Sequence, residues 1–494
     1  MNTKLAMREM ALAGALFLGL LADRLVFSVP GRPGVNVTIW ALAGVVVLWV
    51  VMQQRETPVS HESSWLVGAA LAFAVVMSLR DAEALYVFSL LSSVVLLGLA
   101  AGRGAQAWAT TMHFVDLAAS AVRVGVLIAL GPLGWSIGAA RQPATSPTTR
   151  KWPQHARTVA RGTVMAVPPL MVLTALLASA DPVFERVLHN AFFTDLQPLL
   201  EHLAVAAVIA WLTSGFLRAL LVRDDVVMER ARLPRPALAP SEITVALTLL
   251  NLLFIVFLVV QVRYLFGGAS LVAVTDGLTY AEYARRGFFE LVTAAALVVP
   301  VLLVADWAGA EEQVRSHRVQ RATSTLLVLL LFGVLASAAY RMWLYQDAYG
   351  LTEDRLYGTM FMVWLTVVLG WLAATVLRGN RRRFAFGAVV AGLACIALLH
   401  VLNPHALIAR VNIKRATSGA EYDGRYLSTL SADAVPTLIG WMPALPESER
   451  CRVTTMLEER WSGDRPGGWR TWNLSDARAR KLVAELSPAA ECQK

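Results

Sequence analysis

Three stretches of this chain gather residue types that could do chemistry. They are "TYAEYARRGFFE" (Thr279 to Glu290), "YRMWLYQDAYGLTEDRLYG" (Tyr340 to Gly358) and "HVLNPHALIARVN" (His400 to Asn412). In the first, Thr279 and Glu282 have the spacing of a capping box, which predicts a helix starting at Tyr280 after the turn-forming "TDGL". Glu282, Arg286 and Glu290 are four apart and share a face, with each Glu placed to pair with an Arg one turn away. Glu290 falls about one turn inside the apolar run from Gly287 to Ala305, where an ionised carboxylate is expensive unless paired. Arg286 is its nearest partner, and Arg263 and Arg341 end the neighbouring apolar runs at comparable depth. Glu290, Arg286, Arg263 and Arg341 are therefore the ligand-binding candidates, because guanidinium forks match phosphate and carboxylate. A purely architectural account competes: Thr279 and Glu282 as caps, tyrosines at a membrane interface, and arginines snorkelling from helix ends.

The second stretch predicts a helix capped by Thr352 with Glu353 and Asp354 in its first turn, as the helix dipole prefers. In the third, His400 and His405 lack a nearby Asp, Glu or Cys, so "NP" at Asn403-Pro404 reads as a helix end rather than part of a metal site. No P-loop, Gly-x-Ser-x-Gly elbow, His-Glu-x-x-His or Cys-x-x-Cys occurs, and the sequence implies neither a catalytic residue nor a cofactor nor a metal. The first loop holds only Asp23 beside Arg24, not the paired acids expected of a polytopic sugar transferase.

The elements that must position these residues are apolar. Of 494 residues 56% are hydrophobic and 16% charged, against about 25% charged in soluble domains. About 20 apolar residues in a helix cross a bilayer core with their backbone hydrogen bonds satisfied. Runs free of acids and bases extend over Pro33 to Gln54, Ala84 to Gly102, Gly162 to Ala180, Ile243 to Val262, Ala322 to Tyr340, Leu356 to Leu377 and Phe384 to Ala409. Shorter or interrupted ones extend over Met10 to Val29, Ser63 to Leu79, Val124 to Ala140, Leu199 to Leu217 and Gly287 to Ala305. The expected fold is all-α, a polytopic bundle of about twelve transmembrane helices (residues 1 to 403) followed by a small helical extramembrane domain (404 to 494).

Lys and Arg collect in cytoplasmic loops. The loops Arg141 to Arg161, Arg218 to Arg235, Arg315 to Arg321 and Arg378 to Arg383 hold 5, 5, 3 and 4 basic residues, 17 together. The alternate loops hold six: Arg186, Arg263, Arg285, Arg286, Arg341 and Arg355. The net charge of +9 thus reflects membrane orientation, not nucleic-acid binding. This puts the tail outside the cytoplasm, where a disulfide between Cys451 and Cys492 is permitted. The first four helices are not oriented by charge: twelve spans would leave the N-terminus outside, whereas Lys4 and Arg8 favour the inside. Within the tail, "PHALIARVNIKRA" puts Leu407, Val411 and Ala416 near one face, and Ser431 and Ser475-Asp476 are expected to cap short helices.

The strings "YAEYARRGFFELV", "YGLTEDRLYG", "NPHALIARVN", "YLSTLSADAVP" and "WRTWNLSDARARKL" resemble a family of bacterial polytopic membrane proteins catalogued as domain of unknown function 4173, related to number 4153. That resemblance implies a fold and a bacterial inner-membrane location and carries no activity. The functional expectation is transport or envelope-related handling of an anionic or amphiphilic ligand near the outer face, with the lipid bilayer as a partner. The alternative is an accessory protein docking a partner through its outer loops and tail; a membrane enzyme ranks last.

Overall fold

The computed structural model describes residues 2–53, 61–102, 114–133, 177, 181, 197–221, 239–276, 288–308, 314–418, 424–463 and 468–486. These form helices and turns, with no strand among the described residues. The membrane portion comprises α1 (Asn2–Ala22), continued by a π turn (Asp23–Phe27), α2 (Val35–Met52), α3 (His61–Val76), α4 (Glu83–Gly102), α5 (Phe114–Leu130), α6 (Gln197–Leu221), α7 (Pro240–Asp276), α8 (Phe288–Ala308), α9 (Val314–Tyr349), α10 (Glu353–Thr375) and α11 (Phe384–Leu402). The tail comprises α12 (Pro404–Thr417), α13 (Gly424–Thr429), α14 (Val435–Trp441), α15 (Glu447–Trp461) and α16 (Leu474–Ala484). Among the described residues nine helices are long and apolar enough to cross a membrane, and Ser63–Val76 is a shorter apolar helix. Ten of the twelve expected spans coincide with described helices; Val124 to Ala140 shares only its first seven residues with α5 and ends outside the described residues, and Gly162 to Ala180 falls almost wholly outside them.

These helices are apolar on both faces, which is the condition for a lipid-exposed bundle. On α7, Ile243, Leu247 and Phe254 are buried while Leu249, Leu252, Leu253, Val256 and Val259 are exposed. One core joins α7, α8, α9 and α10 through residues such as Leu291, Leu302, Leu331, Leu365 and Leu369. A second joins α1, α2, α4 and α6 through Ala11, Val51, Ala100 and Leu217. Helices α1 and α6 cross closely because Gly19 leaves room: a Cβ there would sit 2.2 Å from the Ala206 carbonyl oxygen.

Met7 and Met10 of α1 pack with Val51, Ala100 and Leu221 at the C-terminal ends of α2, α4 and α6. At the other end of α1, the Val35 N–H donates to Trp472 of the tail at 2.9 Å. Met7 and the tail therefore lie at opposite ends of the bundle.

The tail has its own core of Ile408, Ile413, Leu427, Leu438, Leu457 and Val483, but this core also takes in Leu351 and Leu356 from the α9–α10 turn. The boundary is Asn403, in the left-handed region at φ 52, which ends α11 and caps α12 by accepting from the Ala406 N–H. On α12 the buried face is His405, Ile408, Ala409 and Ile413; the expected Leu407 and Val411 flank it.

Candidate functional site

The second and third chemically promising stretches meet. Gly350 turns the chain at φ 77, with no room for a Cβ against Asn412 Oδ1, 2.6 Å away. This lets Asn412 of α12 bridge Leu351: its Oδ1 accepts from the Leu351 N–H and its Nδ2 donates to the Leu351 carbonyl, both at 2.7 Å. Arg415 donates to the Gln346 carbonyl, and Arg355 lies 3.9 Å over the Tyr345 ring. Thr352 takes the N-cap position of α10 without a side-chain bond; Tyr426 Oη accepts from the Glu353 N–H instead, at 2.9 Å. Burial pushes the Tyr426 phenol up to about 12, so it remains a hydroxyl.

The two histidines have separate tasks. His400 Nε2 lies 2.9 Å from Ser89 Oγ. His405 Nδ1 accepts from the Ser431 N–H at 2.8 Å, so in the neutral ring the proton is on Nε2, which faces Glu353 Oε1 at 3.3 Å. That last contact is not an aligned hydrogen bond, and it is an ion pair only when the ring is protonated.

The densest polar constellation lies where the turn before α4 meets the tail. Asp433, with its side chain wholly buried, accepts through Oδ2 from the Asp81 and Ala82 N–H groups at 2.7 and 2.9 Å. Its Oδ1 accepts from Ser475 Oγ at 2.5 Å, and Arg80 Nη1 is 3.8 Å away. Asp81 returns the favour: its Oδ2 accepts from the Ala432 N–H at 3.1 Å. Each aspartate thus holds the orphan donors at the start of the other's helix, where a negative charge is favoured. Burial pushes the Asp81 carboxyl above the usual carboxylate range, against the downward pull of Arg32 and the Ala432 N–H. Asn473 completes the joint, donating to the Met77 and Arg80 carbonyls at 3.1 and 2.6 Å while its Oδ1 caps α16 at the Ser475 N–H. The cap of α16 is therefore Asn473, two residues before the expected Ser475-Asp476. Ser431 does cap, accepting from the Asp433 N–H.

Beside this joint a crevice of about 240 Å³ opens between the first loop and the tail, lined by Arg32, Asp81, Trp461, Asp476, Arg460 and Arg480 among others. Arg32 is half exposed and donates to the Asp81 carbonyl at 2.9 Å. Arg460 donates to the Ser428 and Leu430 carbonyls and lies 4.5 Å over the Trp461 ring. Arg480 pairs with Asp476 at 3.0 Å and donates to the Gly463 carbonyl. Burial, and then the Arg32 charge facing it, pull the Arg460 guanidinium below its usual value, while Asp81 opposes this.

Of the candidates named from sequence, Glu290 is in the first turn of α8 and exposed. Arg341 is buried on α9 and donates to Gln261 Oε1 of α7 at 2.6 Å. Arg263 belongs to α7, but its side chain, like Thr279, Glu282 and Arg286, lies outside the described residues. Cys451 is disulfide-bonded and Cys395 is free; Cys492 lies outside the described residues. No group of three metal-ligating side chains occurs among the described residues. At the end of α1, Asp23, Ser28 and His202 do meet, yet Asp23 Oδ1 and Ser28 Oγ both approach the same nitrogen, Nδ1, at 2.8 and 3.1 Å. A relay needs the acid and the hydroxyl on opposite ring nitrogens, so this is a structural bridge between α1 and α6.

Fold and site together define a multi-pass helical integral membrane protein whose tail is fastened to one end of the bundle. The chain belongs to the family described as Domain of unknown function (DUF4153), whose model matches residues 67–440. The matching family is thus number 4153, the relative of number 4173. No curated protein and no solved structure matches the chain.

Proposed function

We propose that this protein binds an anionic or amphiphilic envelope molecule in the crevice between its first loop and its tail, on the outer face of a bacterial cytoplasmic membrane. The observation that carries this reading is the facing of Arg32 and Arg460 across a recess that also holds Arg480, with Asp81 and Asp476 as the lining acids. A guanidinium has five donors; Arg32 gives one to the Asp81 carbonyl and stands 3.6 Å from the Asp81 carboxylate and 4.0 Å from that of Glu83, and Arg460 gives some of its own to the Ser428 and Leu430 carbonyls. Their mutual repulsion and desolvation are relieved by an anion seated between them. The volume equals about eight waters at ~30 Å³ each, room for a phosphate or carboxylate headgroup but not a whole lipid. Two further points support the outer location: Arg318, Arg321 and the turn Arg381–Arg383 fall at the end of the bundle opposite the tail, and Cys451 is in a disulfide, which persists in oxidising compartments. The narrower kinship to family 4173 rests on the sequence strings quoted above.

The test is mass spectrometry of small molecules retained by the full-length protein and by Arg32→Ala. Arg32 is exposed enough for its loss to leave the fold intact. Loss of a retained anionic species in the variant supports the site. An unchanged set of retained molecules, with the tail still docked, refutes it.

A further inference from the structure

A second recess lies at the far end of the bundle, and none of the features above accounts for it. The C-terminal end of α8, the start of α9 and the end of α10 enclose about 460 Å³, with the turn Arg381–Arg383 on one side. Its rim carries Arg318 and Arg321, one turn apart on α9, and Arg381. Among the described residues its single lining acid is Asp306, which pairs with Arg381 at 3.0 Å. Its floor is apolar: Leu302, Leu372 and Val376 belong to the bundle core.

We infer that this recess binds the phosphate of an anionic phospholipid, its headgroup held by Arg318, Arg321 and Arg381 and its glycerol and upper chains lying on Leu302, Leu372 and Val376. Three observations carry this. Arg381 is about three-quarters buried and fixed by Asp306, so it is a positioned cation and not a side chain reaching freely into water. Among the described lining residues three guanidiniums stand against one carboxylate, which leaves two positive charges in a cleft whose low-dielectric walls strengthen them. And the junction of a cationic rim with an apolar floor at the level of the membrane surface matches an amphiphile. A wholly soluble anion would leave that floor wet, and an uncharged lipid would leave the guanidiniums without a partner. Basic pockets between transmembrane helices at the cytoplasmic side are built for such headgroups. Gly379, two residues before Arg381 and at φ 86, allows the sharp reversal that brings Arg381 back toward α8.

The experiment uses the full-length protein in nanodiscs of phosphatidylcholine doped with phosphatidylglycerol, with retained lipids counted by native mass spectrometry after release. Wild type is expected to retain phosphatidylglycerol over phosphatidylcholine. Arg318→Ala/Arg321→Ala, both exposed positions, should weaken that preference about 30-fold, from roughly fivefold for each arginine near an anionic surface. Arg381→Lys, which keeps the ion pair but loses the fork, should weaken it severalfold. Equal retention of phosphatidylglycerol by wild type and the double variant overturns the proposal. So does displacement of the lipid by inorganic phosphate, which would mark the ligand as a soluble phosphate. The outer crevice does not enter this test, so either site can fail alone.

Discussion

Replacing Asp433 with alanine is the sharpest perturbation of the joint between membrane and tail. The wholly buried carboxylate accepts from two backbone N–H groups before α4 and from Ser475, and it is approached by Arg80. Losing a helix-capping acceptor costs about 0.5–2 kcal/mol. Stranding a buried donor costs about 1–3 kcal/mol, but Ser475 Oγ keeps its bond to the Leu79 carbonyl at 2.9 Å, which limits that part. The sum is about 2–4 kcal/mol for Asp433→Ala, or roughly 30-fold to 900-fold in the equilibrium between docked and open tail. Asp433→Asn keeps one acceptor oxygen and should fall about midway. The assay is limited trypsin digestion of the full-length protein in native membranes, since Arg480 on α16, whose side chain is mostly buried in the docked tail, becomes cleavable as the tail opens. Faster cleavage within the tail, in the order wild type, Asp433→Asn, Asp433→Ala, is expected. Equal protection in all three, with unchanged thermal unfolding, would refute the reasoning that this carboxylate fastens the tail.

Further outcomes follow from the same geometry. Gly34→Ala should destabilise the first loop by about 1–3 kcal/mol, read as a lowered midpoint in a thermal-shift assay, because a Cβ would sit 2.4 Å from the Trp472 carbonyl oxygen. Asp81 has a folded pKa raised by burial, so its contribution to stability is complete below the unfolded carboxylate value of about 3.9 and is lost as pH rises through the folded value. Asp81→Asn, which keeps an acceptor for the Ala432 N–H, should flatten that part of the stability profile, and a denaturation series across acidic pH checks it. Reporter fusions at Met1 and at Lys494 should report opposite sides of the membrane; the same side for both would contradict the topology.

The membrane portion was legible because its signal is local. An apolar run on both faces of a helix is written in consecutive residues, and α2, α4, α10 and α11 fall where composition alone puts them. The joint is of another kind. Asp81 and Asp433 are 352 positions apart, each looks like an ordinary first-turn acid, and nothing in either neighbourhood names the other. The caps show the same divide. Ser431 caps where expected because its partner is two residues on. At Thr352 the expected hydroxyl is displaced by Tyr426, 74 positions away in sequence, which only the docked tail delivers. Asn473 outcompetes Ser475 because its amide also spans to the carbonyls of Met77 and Arg80. The arginines divide likewise: Arg341, named from sequence at the end of an apolar run, is held by Gln261 inside the bundle, whereas Arg32 and Arg460, which no local pattern singles out, meet only because loop and tail close over each other.

The crevice between the first loop and the tail is proposed to hold an anion between Arg32 and Arg460. A cryo-electron microscopy map of the full-length protein in nanodiscs of its native lipid tests it most directly. The account predicts non-protein density bridging the two guanidiniums in the wild type and lost in Arg32→Ala with the tail still docked; a crevice holding only solvent in the wild type would contradict it.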